Sequence, residues 1–191
     1  MKTKTLLLLT ILANTAMASD MNATEALKIK QEGIKYIKML GGALKTELKA
    51  HMKADKTGLS AAGFCASKAT SLTEEVNKKL PKYAKVRRTA LKLRNNSTNP
   101  ADDLDKKIMN EYVAAIEAKT FTPKDIKEVT IGDTTRVYKP LITTPICLKC
   151  HGSSVSPEIK KLIKEVYPND KAMHFKEGEL RGVIVAEIKK H

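Results

Sequence analysis

Cys147-Leu148-Lys149-Cys150-His151, followed by Gly152, is the stretch that most limits what this 191-residue chain can become. Two thiols three residues apart can each add to a vinyl group on one porphyrin edge. The histidine directly after the second thiol can then reach the metal. C-x-x-C-H is the attachment pattern of a c-type haem. If the pattern is used, Cys147 and Cys150 become thioethers, His151 becomes an axial ligand, and the fold is organised around one covalent haem c.

The N-terminus supplies context. Lys2 and Lys4 precede an apolar run from Thr5 to Leu12, and Ala16-Met17-Ala18 is an A-x-A cleavage site, so residues 1–18 read as a secretory signal peptide cut after Ala18. The apolar run is far short of the roughly 20 residues that span a bilayer. Haem is attached to C-x-x-C-H on the exported side of bacterial membranes, so leader and motif agree and place the chain in the periplasm. The formal charge of +14 falls by two with loss of Lys2 and Lys4. The remaining lysines are scattered along helices rather than interleaved with aromatics. They read as a solvated basic face, and no nucleic-acid motif accompanies them.

The chain has three cysteines, an odd number for an exported protein. With Cys147 and Cys150 consumed by thioethers, Cys65 has no disulfide partner. It lies on the apolar face of an expected helix from Leu59 to Lys79, beside Ala62, Ala66 and Ala69. Two readings stand there: a small buried hydrophobe, or a thiolate on the sixth position of the iron. Met173 and His174, in a loop after the motif, are the other candidates for that position. His51 and Met52 are also conceivable, although Met52 sits on an apolar stripe and reads as core. The other histidines are too isolated for a zinc site.

Asn22 to Lys53 has the period of one long amphipathic helix, with a capping box at Asn22 and Glu25 and a kink expected at Gly41-Gly42. Its stripe could pack on the domain or against a second copy, giving a homodimer. Ala84 to Arg94 reads as extended, and Ala101 to Lys119 as a helix. Ile126–Ile131 and Thr134–Leu141, joined by Gly132-Asp133, read as a β-hairpin leading into the haem motif. Ser156-Pro157 starts a short helix, and Val183–Ile188 is a strand.

Four stretches resemble a family of exported single-haem c-type proteins, long labelled a domain of unknown function. They are GFCASKA around Cys65, VRRTALKLRNNSTNP from Val86, RVYKPLITTPICLKCHG ending at Gly152, and EGELRGVIVAEI from Glu177. The resemblance implies an α+β fold with a PAS-like antiparallel sheet flanked by helices. The long helix, residues 19–56, packs outside a haem c-binding domain at 57–191. It implies His151 and Cys65 as the two axial ligands. Arg87, Arg88, Arg94 and Asn95 match family positions near the haem, and one or two of them are expected to contact its propionates. The function implied is a redox carrier, or a redox or gas sensor, acting through a redox partner or a membrane signalling protein. The alternative is a haem enzyme such as a peroxidase, which needs an open sixth position that an inward Cys65 fills.

Overall fold

The first helix of the computed structural model, α1, runs without a break from Leu7 to Ala54. The structure describes residues 7–95, 97–98, 100–122 and 124–190, with side chains from Ala23 onward. Lys2 and Lys4 of the expected leader lie outside the described residues. The helix passes through Asn22, which is therefore no N-cap, and through Gly41-Gly42 without a break. Close packing accounts for the glycines. A Cβ on Gly33 would meet Val137 Cγ2 at 2.6 Å, and one on Gly41 would meet Ile184 Cδ1 at 3.2 Å. Glycine costs helix propensity, about 1 kcal/mol per residue, but here it lets the helix lie close on a sheet.

The expected single helix from Leu59 is two: α2 (Leu59–Ser67) and α3 (Ala69–Lys78). Serine hydroxyls flank the break, with Ser67 Oγ donating to the Gly63 carbonyl and Ser71 Oγ to that of Lys68. Such back-bonding competes with the helical ladder and bends it. Strand β1 (Ala84–Thr89) stops short of Arg94, because Leu93 instead accepts from Lys171 N at 2.9 Å. Then come α4 (Asp103–Glu117), opened by an Asp102/Asp105 capping box, and the hairpin β2 (Lys127–Ile131) and β3 (Thr134–Ile142). The chain closes with α5 (Pro145–His151), α6 (Pro157–Val166) and β4 (Leu180–Lys189).

The sheet is antiparallel with order β1-β4-β3-β2, and β4 is covered on both faces. Ile184, Ala186 and Ile188 pack with Tyr36, Ile37 and Leu40 of α1, whereas Val183 and Val185 pack with Ile108, Met109 and Tyr112 of α4. Alternation along one strand thus feeds two cores. A third cluster, Ala62, Val155, Ile159 and Ile163, joins α2 to α6 beneath α5. Among the described residues, no helix is long and apolar enough to cross a membrane.

Candidate haem-binding site

Helix α5 carries the motif. Thr144 precedes it in extended conformation, and Pro145 takes the first helical position, where its missing N–H is not needed. Three-residue spacing puts both thiols on one helical face, and His151 lies one turn beyond Cys147. Lys149 points the other way and donates through Nζ to the Lys56 carbonyl at 2.6 Å. The cysteine face borders a cleft of about 250 Å³ lined by Cys65, Cys147, Cys150, His151, Arg88, Arg94, Asn95 and Arg181, among others. All three cysteines are free thiols.

His151 is held in one tautomer. Its Nδ1 lies 2.7 Å from the Ala172 carbonyl, which can only accept, so Nδ1 carries the proton and Nε2 the lone pair. Phe175 packs edge-on against the ring, with centroids 6.2 Å apart and planes at 89°. Burial, then the charges of Arg181 and Arg94, hold the imidazole pKa well below its ordinary value. The ring is therefore neutral at neutral pH. A neutral imidazole with its outer nitrogen anchored to a carbonyl is the usual form of a metal-ligating histidine.

Cys65 enters the cleft from α2, so the motif helix and the odd cysteine share one cavity. Burial pushes its thiol pKa up, opposed by Arg88, Arg94 and Arg181. Met52 also lines the cleft, at the end of α1, instead of the core position expected of it. Met173 and His174 do not line it. Met173 Sδ lies 3.5 Å from Arg94 Nη2 and packs against the α2–α6 cluster. His174 is exposed, and its backbone N–H is donated to the Gly152 carbonyl. Both belong to the loop behind the His151 ring. His51 is occupied too, with Nδ1 2.8 Å from Ser60 Oγ and its ring stacked on Phe64.

The sequence model of the Tll0287-like family matches residues 4–188. The chain belongs to the Tll0287-like family. The crystal structure of the cyanobacterial haem protein Tll0287 is similar, with a TM-score of 0.52 and 23% identity over 66% of this chain and 72% of that one. At that identity the likeness speaks for the fold. No curated protein matches the chain.

In this Tll0287-like chain the expected arginines divide. Neighbours on a strand point to opposite faces, so Arg87 and Arg88 cannot both serve the cleft. Arg88 lines it. Arg87 faces α4, where Nη1 and Nη2 donate to the two carboxylate oxygens of Asp105 at 2.9 and 3.0 Å and Nε donates to Glu187. The expectation of a propionate contact at Arg87 is corrected accordingly: that guanidinium is committed to a buried ion-pair cluster on the opposite face of the sheet. Arg94 reaches the cleft, but its Nη2 donates to the Cys150 carbonyl at 2.7 Å and pairs with Asp170 at 3.2 Å. Asn95 lines the cleft while its Oδ1 accepts from Ser97 N, Ser97 Oγ and Thr98 N, so the loop holds that oxygen.

Sequence reasoning missed Arg181. Leu141 pairs with Gly182 and Ile142 with Leu180, so Arg181 is the extra residue of a β-bulge. Bulges re-aim side chains, and this one turns a guanidinium into the cleft. Gly182 makes the bulge possible, with φ at +155° and the Thr89 carbonyl oxygen 2.5 Å from where a Cβ would sit. The signal was there to read: a glycine inside a strong strand pattern marks a bulge or a close backbone approach.

Proposed function

We propose that this chain is an exported single-haem c-type cytochrome, with thioethers at Cys147 and Cys150 and axial ligation by His151 Nε2 and Cys65 Sγ. The observation that carries the reading is the shared cleft. The Cys147/Cys150 face, the lone pair of His151 and the Cys65 thiol border one cavity, although Cys65 is 82 residues before Cys147 in the chain. Its donor set fits the group. Neutral imidazole and a sulfur ligand both suit iron, and the guanidinium groups at the cleft suit the propionates. The similarity to a cyanobacterial haem protein adds to the case. When bound, the haem supplies a one-electron centre.

The chain's own residues do the rest. The Ala172 carbonyl orients His151 and raises its basicity, α5 carries both thiols that would form the thioethers, and α2 brings Cys65, which would supply a sulfur ligand, to the same cleft. On this reading the leader directs the protein to the periplasm. There it exchanges electrons with a redox protein or reports to a membrane signalling protein, and α1 offers a face for a homodimer. The deciding experiment compares absorption and EPR spectra of the purified protein with those of Cys65→Ser. Loss of the low-spin ferric thiolate signal in the variant supports the ligand set, and identical signals remove Cys65 from it. Carbon monoxide binding by the reduced protein separates a sensor from a carrier whose two ligands stay in place.

A further inference from the structure

Arg181 is a cation with no carboxylate ion-pair partner among the described residues. The bulge at the start of β4 aims it into the cleft. Its guanidinium rests over the Phe175 ring, 5.1 Å from the centroid, and its Nη2 stands 3.5 Å from His151 Nε2. Among the described residues it forms no ion pair, because Asp170, the carboxylate at this end of the cleft, is taken by Arg94 at 3.2 Å. The side chain is half-buried and shares the cleft with Arg94 and Arg88. Removing a charge from water without a counter-ion is strongly unfavourable. A bulge with a glycine at a position that admits no side chain places the cation there, and the site is suited to receive an anion.

We infer that Arg181 seats a propionate of the haem, a role resting on the haem reading of the cleft. Its planar fork can take a carboxylate in bidentate fashion. Its Nη2 stands 3.5 Å from His151 Nε2, the atom that would reach the metal, so the fork lies on the same side of the cleft as the proximal ligand. Arg94 is the fixed member of the pair, bonded to the Cys150 and Ala172 carbonyls, and it keeps the backbone around His151 in place.

The test uses the haem-loaded full chain with Arg181→Gln and Arg181→Lys. The readouts are the midpoint potential across pH and the propionate bending band in resonance Raman. In Arg181→Gln the loss of a positive charge beside the iron shifts the ferric/ferrous equilibrium at least tenfold towards ferric, about 59 mV for one electron. The propionate band also moves. Arg181→Lys keeps the charge and recovers the potential, but it lacks the fork and leaves the band displaced. A purely structural arginine would change stability and leave both readouts as in the wild type, and that result overturns the inference. If Arg181→Gln fails to take up haem, Arg181→Lys decides alone, and an unmoved band in it is equally fatal. A wild-type protein purified without covalent haem sinks the haem reading and Arg181 with it. A loaded wild type with silent variants sinks only Arg181.

Discussion

Asp170 holds Ala172 through Oδ1, which accepts the Ala172 N–H at 2.8 Å, while Oδ2 pairs with Arg94. Through Ala172 the carboxylate therefore reaches His151, whose Nδ1–H ends on the Ala172 carbonyl. One acid thus fixes both a backbone turn and the direction in which the proximal lone pair points.

Asp170→Ala removes the anion and leaves Arg94 without a carboxylate in a nearly closed site, where the two side chains are 8 and 10% exposed. Breaking such a pair from one side costs about 3–5 kcal/mol. Urea unfolding of the variant should show a loss of that size. Its ferric absorption bands should broaden as the His151 ring loses its fixed orientation.

Asp105→Ala provides the contrast. Asp105 is fully buried and accepts from Arg87, Arg136, Tyr138 and the Asp102 backbone. Its removal should destabilise the fold by a similar amount, about 3–5 kcal/mol. Because that network lies on the α4 face, the haem spectrum should stay as in the wild type. A changed spectrum would mean that Arg87 serves the cleft after all.

Gly33→Ala puts a methyl group 2.6 Å from Val137 Cγ2, and overpacking of this kind costs about 1–3 kcal/mol. The double variant Gly33→Ala/Val137→Ala removes the Cγ2 and Cγ1 contacts and keeps the one at Val137 Cβ, 2.8 Å away. Thermal unfolding should show the second change offsetting part of the steric cost of the first, a coupling that residues in contact produce.

Asp55 accepts from Thr57 N, Thr57 Oγ1 and Ser60 N, and these bonds, led by the Thr57 hydroxyl, lower its pKa to about 2. A depressed carboxylate stabilises the fold fully above its unfolded value, near 3.9, and the contribution is lost as pH falls through the folded value. The melting temperatures of wild type and Asp55→Asn should therefore differ by a constant amount above about pH 4. The gap should close towards pH 2, and a gap independent of pH would show that the α1–α2 turn does not depend on this charge.

The sequence displayed the chemistry better than the directions. The hairpin at Gly132-Asp133, the helix start at Ser156-Pro157 and the Val183–Ile188 strand are local patterns, and all three formed, the strand beginning three residues early at Leu180. Arg87 and Arg88 show where local reading stops. Period two says that they part company, but β1 is covered on both sides, so hydrophobicity does not label the face that carries the cleft. The break at Lys68 and the unbroken run of α1 through Gly41 go with hydroxyl back-bonding and with close contact at Ile184. Neither appears in a propensity sum. Arg181 stayed hidden because a bulge shifts the alternation by one residue.

Asn77 of α3 lies alongside β1 and treats Val86 as a neighbouring strand would. Its Oδ1 accepts the Val86 N–H at 2.7 Å, and its Nδ2 donates to the Val86 carbonyl at 2.8 Å. A single side chain thereby seals one border of the sheet. Any fifth strand, whether from this chain or from another, must evict Asn77 to join at β1. The sheet can be extended without such an eviction only from β2, which makes it a one-ended template: lateral assembly through its backbone stops at pairs and cannot run on into a fibre.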